Sequence, residues 1–170
     1  MRHFILVLFI LLNQISFANS ADKIQLRSQY YKSLNDKKLA DDFMKIMESF
    51  TVESDALLIA YKGMSYMLEA KLSYNPYAKF AYFTRGKNLL EDAVEKNPWN
   101  IEVRFMRFCI QTKAPQFLGY SNEIELDKSF LLGQWQKLGD IDLKNKIAEF
   151  MLKSNFCNNT EKSIFKWTKK

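Results

Sequence analysis

Apolar side chains recur at three- and four-residue intervals through most of this chain, and the recurrence is interrupted at a few well-marked places. That period is the one an α-helix needs to gather its oily residues on one side. It predicts a first helix over about 22–34, with Leu26, Tyr30 and Leu34 on one face. A second follows, capped by Asp36, with Leu39, Phe43, Ile46, Met47 and Phe50 turned inward. After a polar break at 51–54, the helix over about 55–73 carries two apolar stripes. One is mostly small (Ala56, Ala60, Gly63, Met67, Ala70) and the other large (Leu57, Tyr61, Met64, Leu68, Leu72). A helix that is apolar on two sides is packed on two sides, so this one is expected near the centre.

Asn75-Pro76 ends that helix and starts the next, because proline fits a first turn but not a helix interior. The helix over about 76–97 carries Tyr77, Phe80, Phe83, Leu90, Ala93 and Val94. Asn97-Pro98-Trp99-Asn100 repeats the punctuation and opens a helix to Thr112 that buries Ile101, Phe105, Phe108, Cys109 and Thr112. Pro115 and Gly119 make 113–120 a loop. Ser121 is placed to cap a helix bearing Ile124, Leu131, Trp135 and Leu138. Gly139 stops it, and Asp140 caps a last helix with Leu143, Ile147, Phe150 and Met151 inward. The tail, 157–170, has no clear period; it frays, or it docks through Ile164, Phe165 and Trp167. No alternating strand pattern or hairpin turn is present. The expected fold is all-α, with about seven helices in antiparallel pairs over 19–156.

The first eighteen residues belong to a different category. Arg2, an unbroken apolar run over 4–12 and small residues at Ser16 and Ala18 form the pattern of a secretory signal peptide, with cleavage expected after Ala18. The run is too short to span a bilayer, which takes about 20 residues. The expected location is therefore periplasmic or secreted. Cleavage would leave 170 − 18 = 152 residues, enough for a stable core, with 24 − 19 = +5 charges once Arg2 is gone. That modest, scattered excess is not the dense basic stripe of a nucleic-acid binder.

The same cleavage removes His3, the only histidine. Without it there is no Ser-His-Asp or Cys-His catalysis and no histidine-ligated zinc. Five scattered glycines offer no phosphate-cradling loop, and Cys109 and Cys157 form no CxxC motif. No cofactor is expected. The two cysteines would enter an oxidising compartment, where a bridge, a buried thiol and an exposed free thiol are the three alternatives. Carboxylates such as Glu91 with Glu95, or Glu123 with Glu125 and Asp127, are the only general acid–base candidates. At helical spacing they are ordinarily solvated faces or salt-bridge partners, and glycoside hydrolysis needs two across a cleft.

Residues 87–105 (KNLLEDAVEKNPWNIEVRF) resemble the second helix of a tetratricopeptide repeat and its join to the next unit, with Leu90 and Ala93 at packing positions and Pro98 at the closing proline. Gly63 and Tyr66 resemble the glycine and following aromatic of the first helix. Gly63 to Pro98 spans 35 residues, where a 34-residue repeat has about 24, so the helix pair is longer by about three turns. The wider block, from Tyr61 through the loop ending at Tyr120, is similar to a group of exported, tetratricopeptide-like bacterial proteins of unassigned activity. The resemblance implies a right-handed stack of helix pairs and an exported location, and it carries over no catalytic residue.

Stacked pairs present shaped surfaces that bind segments of other proteins. Two sets of residues are candidates for such a surface. Tyr74, Tyr77 and Tyr82 would line a peptide groove, with core packing the favoured account of the aromatic run that also holds Phe80 and Phe83. Arg104, Arg107 and Gln111 would form a fork for a partner's carboxylate or phosphate, with pairing to Glu91 and Glu95 of the preceding helix favoured. In the tail, lysines 162, 166, 169 and 170 around Ile164, Phe165 and Trp167 would suit an anionic membrane surface, although self-docking or disorder is favoured there. Asn158-Asn159-Thr160 matches a glycosylation acceptor, relevant only in a eukaryotic host. The expectation is an exported protein-interaction module of the bacterial envelope, not an enzyme. A small-ligand or cell-wall-binding protein is the alternative, and a carboxylate-based glycoside hydrolase a weaker one.

Overall fold

The computed structural model describes residues 20–166, with side chains from Asp22 onward. The leader, Trp167 and the last lysines therefore lie outside the described residues. Eight α-helices follow in order: α1 Ser20–Ser33, α2 Lys37–Glu48, α3 Ala56–Leu72, α4 Pro76–Lys96, α5 Ile101–Gln111, α6 Ile124–Gln134, α7 Ile141–Lys153 and α8 Asn159–Ile164. Short 3-10 turns at Gln116–Leu118 and Trp135–Lys137 complete the structure, and there is no strand among the described residues. The all-helical expectation holds, and the punctuation does what its chemistry dictates. Asp36, Asp55, Asn75, Asn100 and Asp140 each accept a backbone N–H in the first turn of the helix they precede.

Consecutive helices pack against each other, from α1 on α2 through α5 on α6, and the odd-numbered helices α1, α3, α5 and α7 touch in series. The short connections from α1 to α2 through α4 to α5 make those neighbours antiparallel hairpins, whereas α5 and α6 are joined by the longer segment 112–123. The two-sided α3 is buried along most of its length, as its double stripe predicts. Its partner α4 approaches closely through Gly63 and Gly86. A second two-sided helix, α5, divides the core. Val103 and Met106 join the cluster built by α2, α3 and α4, whereas Phe105 and Phe108 join one built by α6, α7 and the tail.

Four local expectations need correction. Ser121 caps nothing: α6 begins later, after Glu123, with no side-chain cap. Leu39 and Ile46 are exposed, and the inward face of α2 is Ala40, Phe43 and Met47. Phe80 is not in the core; only Phe83 of that pair is buried. Through Lys166 the tail follows the docking alternative, held by Phe165 and not by Ile164. A capping box at Asn158 and Glu161 starts α8, and Phe165 is buried against Trp135, ring centroids 5.0 Å apart.

The odd helices are also tied by charge. Arg27 of α1, 1% exposed, donates from Nε and Nη2 to both oxygens of Glu102, at 2.8 Å each. Its remaining donors reach Asp142 at 2.6 Å and Asp140 at 2.9 Å, and the Tyr61 hydroxyl donates to Glu102 at 2.6 Å. A planar five-donor fork is the side chain suited to join three elements at one buried point.

An apolar groove at one end of the helix stack

The α1–α2 turn, the α3–α4 turn and the exit of α5 meet at one end of the molecule. Lys71 near the end of α3 marks the meeting, donating to the Leu34 carbonyl at 2.5 Å and to Asn35 Oδ1 at 2.9 Å. These elements leave between them a groove of about 620 Å³. Its floor is Tyr30, Leu34, Met67, Leu68 and Phe83. Its walls are Phe80 of α4 on one side and Phe117 and Leu118 of the 3-10 turn on the other. Gly119, with φ +58°, allows the tight turn that holds Phe117 outward. Lys71, Lys79 and Lys113 stand along the groove, and no carboxylate lines it. Phe80 is 60% exposed and Phe117 86%. Beyond the wall, Tyr77 is 86% exposed and Tyr74 is entirely in solvent.

A second groove of about 550 Å³ adjoins the first, sharing Leu34 and Lys113. It runs between α1 and α7, past Tyr31, Phe150 and Phe156. Two of its lysines rest on aromatic faces, with Lys113 Nζ 5.0 Å from the Phe150 ring centre and Lys146 Nζ 4.3 Å from that of Tyr31, and Lys153 pairs with Glu149 at 2.9 Å.

The tyrosine triplet offered as a groove lining is not assembled, and core packing, the favoured account, does not hold for Tyr74 and Tyr77 either. Tyr74 and Tyr77 project into solvent, Tyr82 packs on Tyr66 at 6.3 Å, and none of the three lines the groove. Arg104, Arg107 and Gln111 are buried, so they are not a fork for an outside ligand. Arg107 donates to both oxygens of Asp127 at 2.8 and 2.9 Å and to Glu91 at 2.7 Å. Arg104 also pairs with Asp127, and Tyr120 donates to the other oxygen of Glu91 at 2.6 Å. Pairing with Glu91 is therefore found; Glu95 stays exposed, and Asp127, absent from that reading, is the centre of the cluster. Burial pushes the Asp127 carboxyl up, against the pull of both arginines. Of the remaining carboxylates nominated for acid–base work, Glu125 pairs with Lys128 at 2.8 Å.

Cys109 and Cys157 are both free thiols, so the bridge is not formed. Cys109 lines a small cavity with Tyr30 and Tyr31, while the Cys157 sulfur lies 4.0 Å from that of Met151. Burial pushes both thiols up. Among the described residues no cluster of side chains is arranged to hold a metal ion, and no helix is long and apolar enough to cross a membrane.

The lysines and Phe117 escaped sequence reasoning because they come from segments distant in the chain. One signal was available: stretches 70–90 and 103–122 contain no aspartate or glutamate, and both reach this end. No family model, curated protein or solved structure matches the chain.

Proposed function

We propose that this chain is an exported protein-interaction module of the bacterial envelope, without catalysis of its own, that holds an apolar segment of a partner in the groove between Phe80 and Phe117. The observation that carries this reading is the groove itself. It is an apolar concavity with an uncommitted floor, walled by phenylalanines that a solitary soluble protein would ordinarily bury. The leader pattern supports the exported location, and the serial contacts of hairpins support a binding scaffold.

Site-directed crosslinking in an exporting host tests it. A photoreactive residue at Lys79 or Leu118 should yield one discrete adduct with an envelope protein, and the same residue at exposed Glu95 should not. Adducts of equal yield from all three positions, or from none, would remove the reading.

A small apolar ligand is the second reading, favoured by a groove volume within the range of about 300–1,000 Å³ typical of ligand sites. It predicts that cell-wall fragments or apolar metabolites raise the melting temperature of the purified protein.

A further inference from the structure

We propose that the end of the molecule bearing Tyr74, Tyr77, Phe80 and Phe117 rests on an anionic lipid bilayer, with the phenylalanines entering the interface and Lys71, Lys79 and Lys113 meeting lipid phosphates. This goes beyond the interaction-module reading and does not require it. Its consequence for that reading is that the groove would open at the membrane surface.

Three observations carry it. The first is protrusion. The aromatics stand out from two separate places, the α3–α4 turn with the first residues of α4, and the 3-10 turn, with exposures of 102%, 86%, 60% and 86% in chain order. A protein partner would need a surface shaped around each, whereas a bilayer interface accepts separate amphipathic rings without matching them. The second is chemistry: two tyrosines lie on the outer side and two phenylalanines at the groove, a pairing of ring types suited to the headgroup boundary. The third is charge. The groove between them is lined by three lysines and no carboxylate, and neither acid-free stretch places an aspartate or glutamate beside the aromatics. Lysines close to an anionic surface each strengthen binding about fivefold.

Exposed Trp99 sits at the α4–α5 turn, the opposite end of the stack, and supplies an internal control. The test protein is the chain from residue 19, the form expected after cleavage of the leader pattern, so that the apolar run over 4–12 is not present to bind lipid itself. Sedimentation is measured with phosphatidylcholine vesicles, alone or with about one-third phosphatidylglycerol. The expected result is binding to the anionic vesicles only, falling steeply between about 0.05 and 0.5 M salt. Lys79→Glu with Lys113→Glu should weaken it by more than about twenty-fivefold, since two attractions are lost and two repulsions gained. Tyr77→Ser with Phe117→Ser should abolish it, and Trp99→Ser should leave it unchanged. In Phe117→Trp, added emission should shift to the blue with these vesicles and be quenched by brominated lipid tails. All changed side chains are exposed, so each variant should keep its helical circular dichroism. Absence of vesicle binding, or binding that survives Tyr77→Ser with Phe117→Ser, overturns the proposal. A crosslinked partner protein obtained without vesicle binding also overturns it, and would leave the interaction-module reading standing.

Discussion

Gly63 and Gly86 face each other across the α3–α4 pair so closely that a Cβ on Gly86 would lie 2.8 Å from the Gly63 carbonyl oxygen, and one on Gly63 3.0 Å from that of Gly86. Both obstacles are backbone atoms in helices and cannot rotate aside. Alanine is the better helix former by about 1 kcal/mol, but overpacking a tight interface costs about 1–3 kcal/mol. Gly86→Ala should therefore lower stability by about 1 kcal/mol in urea unfolding. Gly133, in α6, would carry a methyl group with nothing within 4 Å of it, and so isolates the propensity effect. Gly133→Ala should raise stability by about 0.5–1 kcal/mol. Equal gains from both variants would mean that α3 and α4 do not approach this closely.

The Arg27 clasp predicts a large and selective loss. Arg27→Ala leaves Glu102 buried beside Tyr61 with no cation, and breaking a buried pair from one side costs about 3–5 kcal/mol. Arg27→Lys keeps a charge but cannot serve Glu102 with two parallel donors while reaching Asp140 and Asp142. It should recover only part of the loss. Full recovery by lysine in thermal unfolding would show that charge, not the fork, holds α1 to α5 and α7.

Acid should weaken this clasp through Asp140. Burial raises that carboxyl, but hydrogen bonds from Arg27 and from the Leu143 N–H outweigh it and hold it below the usual carboxylate range. A lowered native value means stabilisation that is present above the ordinary carboxylate pKa of about 4 and lost as pH falls through the native one. Asp127 has the opposite sign, because burial raises it and its ionisation opposes folding. Asp140→Asn keeps an acceptor for the Leu143 N–H while removing the charge. Its urea midpoint should fall less between about pH 5 and pH 3 than that of the parent chain. Parallel curves would mean that Asp140 contributes only as a cap.

What could be read from the sequence follows from which forces are local. Helices were legible because a 3.6-residue period and capping side chains act within a few positions, as Asp36, Asn75, Asn100 and Asp140 show. Central α3 was legible from its two stripes. The groove was not, since Leu34, Lys71, Phe80, Lys113 and Phe117 meet only after three turns converge. Phe80 misled because an aromatic at helical spacing resembles a core residue. In fact α4 is longer than its partner α3, 21 residues against 17, and its buried run begins at Phe83. Asp127 was equally hidden: it lies 20 positions from Arg107, and only the fold brings them together.

The thiols carry a prediction that runs against their expected compartment. Cys109 and Cys157 both pack in the cluster built around Phe105, Phe108 and Trp135, unbridged, and burial disfavours the thiolate of each. Thiolate is the reactive form. Protein recovered from an exporting host should react slowly with a thiol reagent while folded, then titrate two thiols once unfolded in guanidinium. Finding no thiol after unfolding would establish a bridge and require the tail to sit elsewhere.

Among the described residues of the tail, one ring does most of the docking. Phe165 is 1% exposed and meets Trp135 edge to face, and neighbouring Ile164 is too exposed to share the task. The segment has further ties. Lys128 Nζ reaches the Phe156 carbonyl at 3.0 Å and Glu161 at 3.4 Å, and Cys157 is buried beside Met151. Both polar ties run through the single Lys128 ammonium, which also serves Glu125, so they should not hold α8 alone. Phe165→Ala removes a buried aromatic, a change worth about 3–5 kcal/mol in a rigid core. Here the segment can instead release, because α8 has six residues and little helix stability of its own. The expected outcome is local: limited proteolysis with trypsin should cut after Lys162 in Phe165→Ala while α1 to α7 stay resistant, and the melting temperature should fall by only a few degrees. Cooperative loss of the whole fold would instead make the Trp135–Phe165 contact part of the central core.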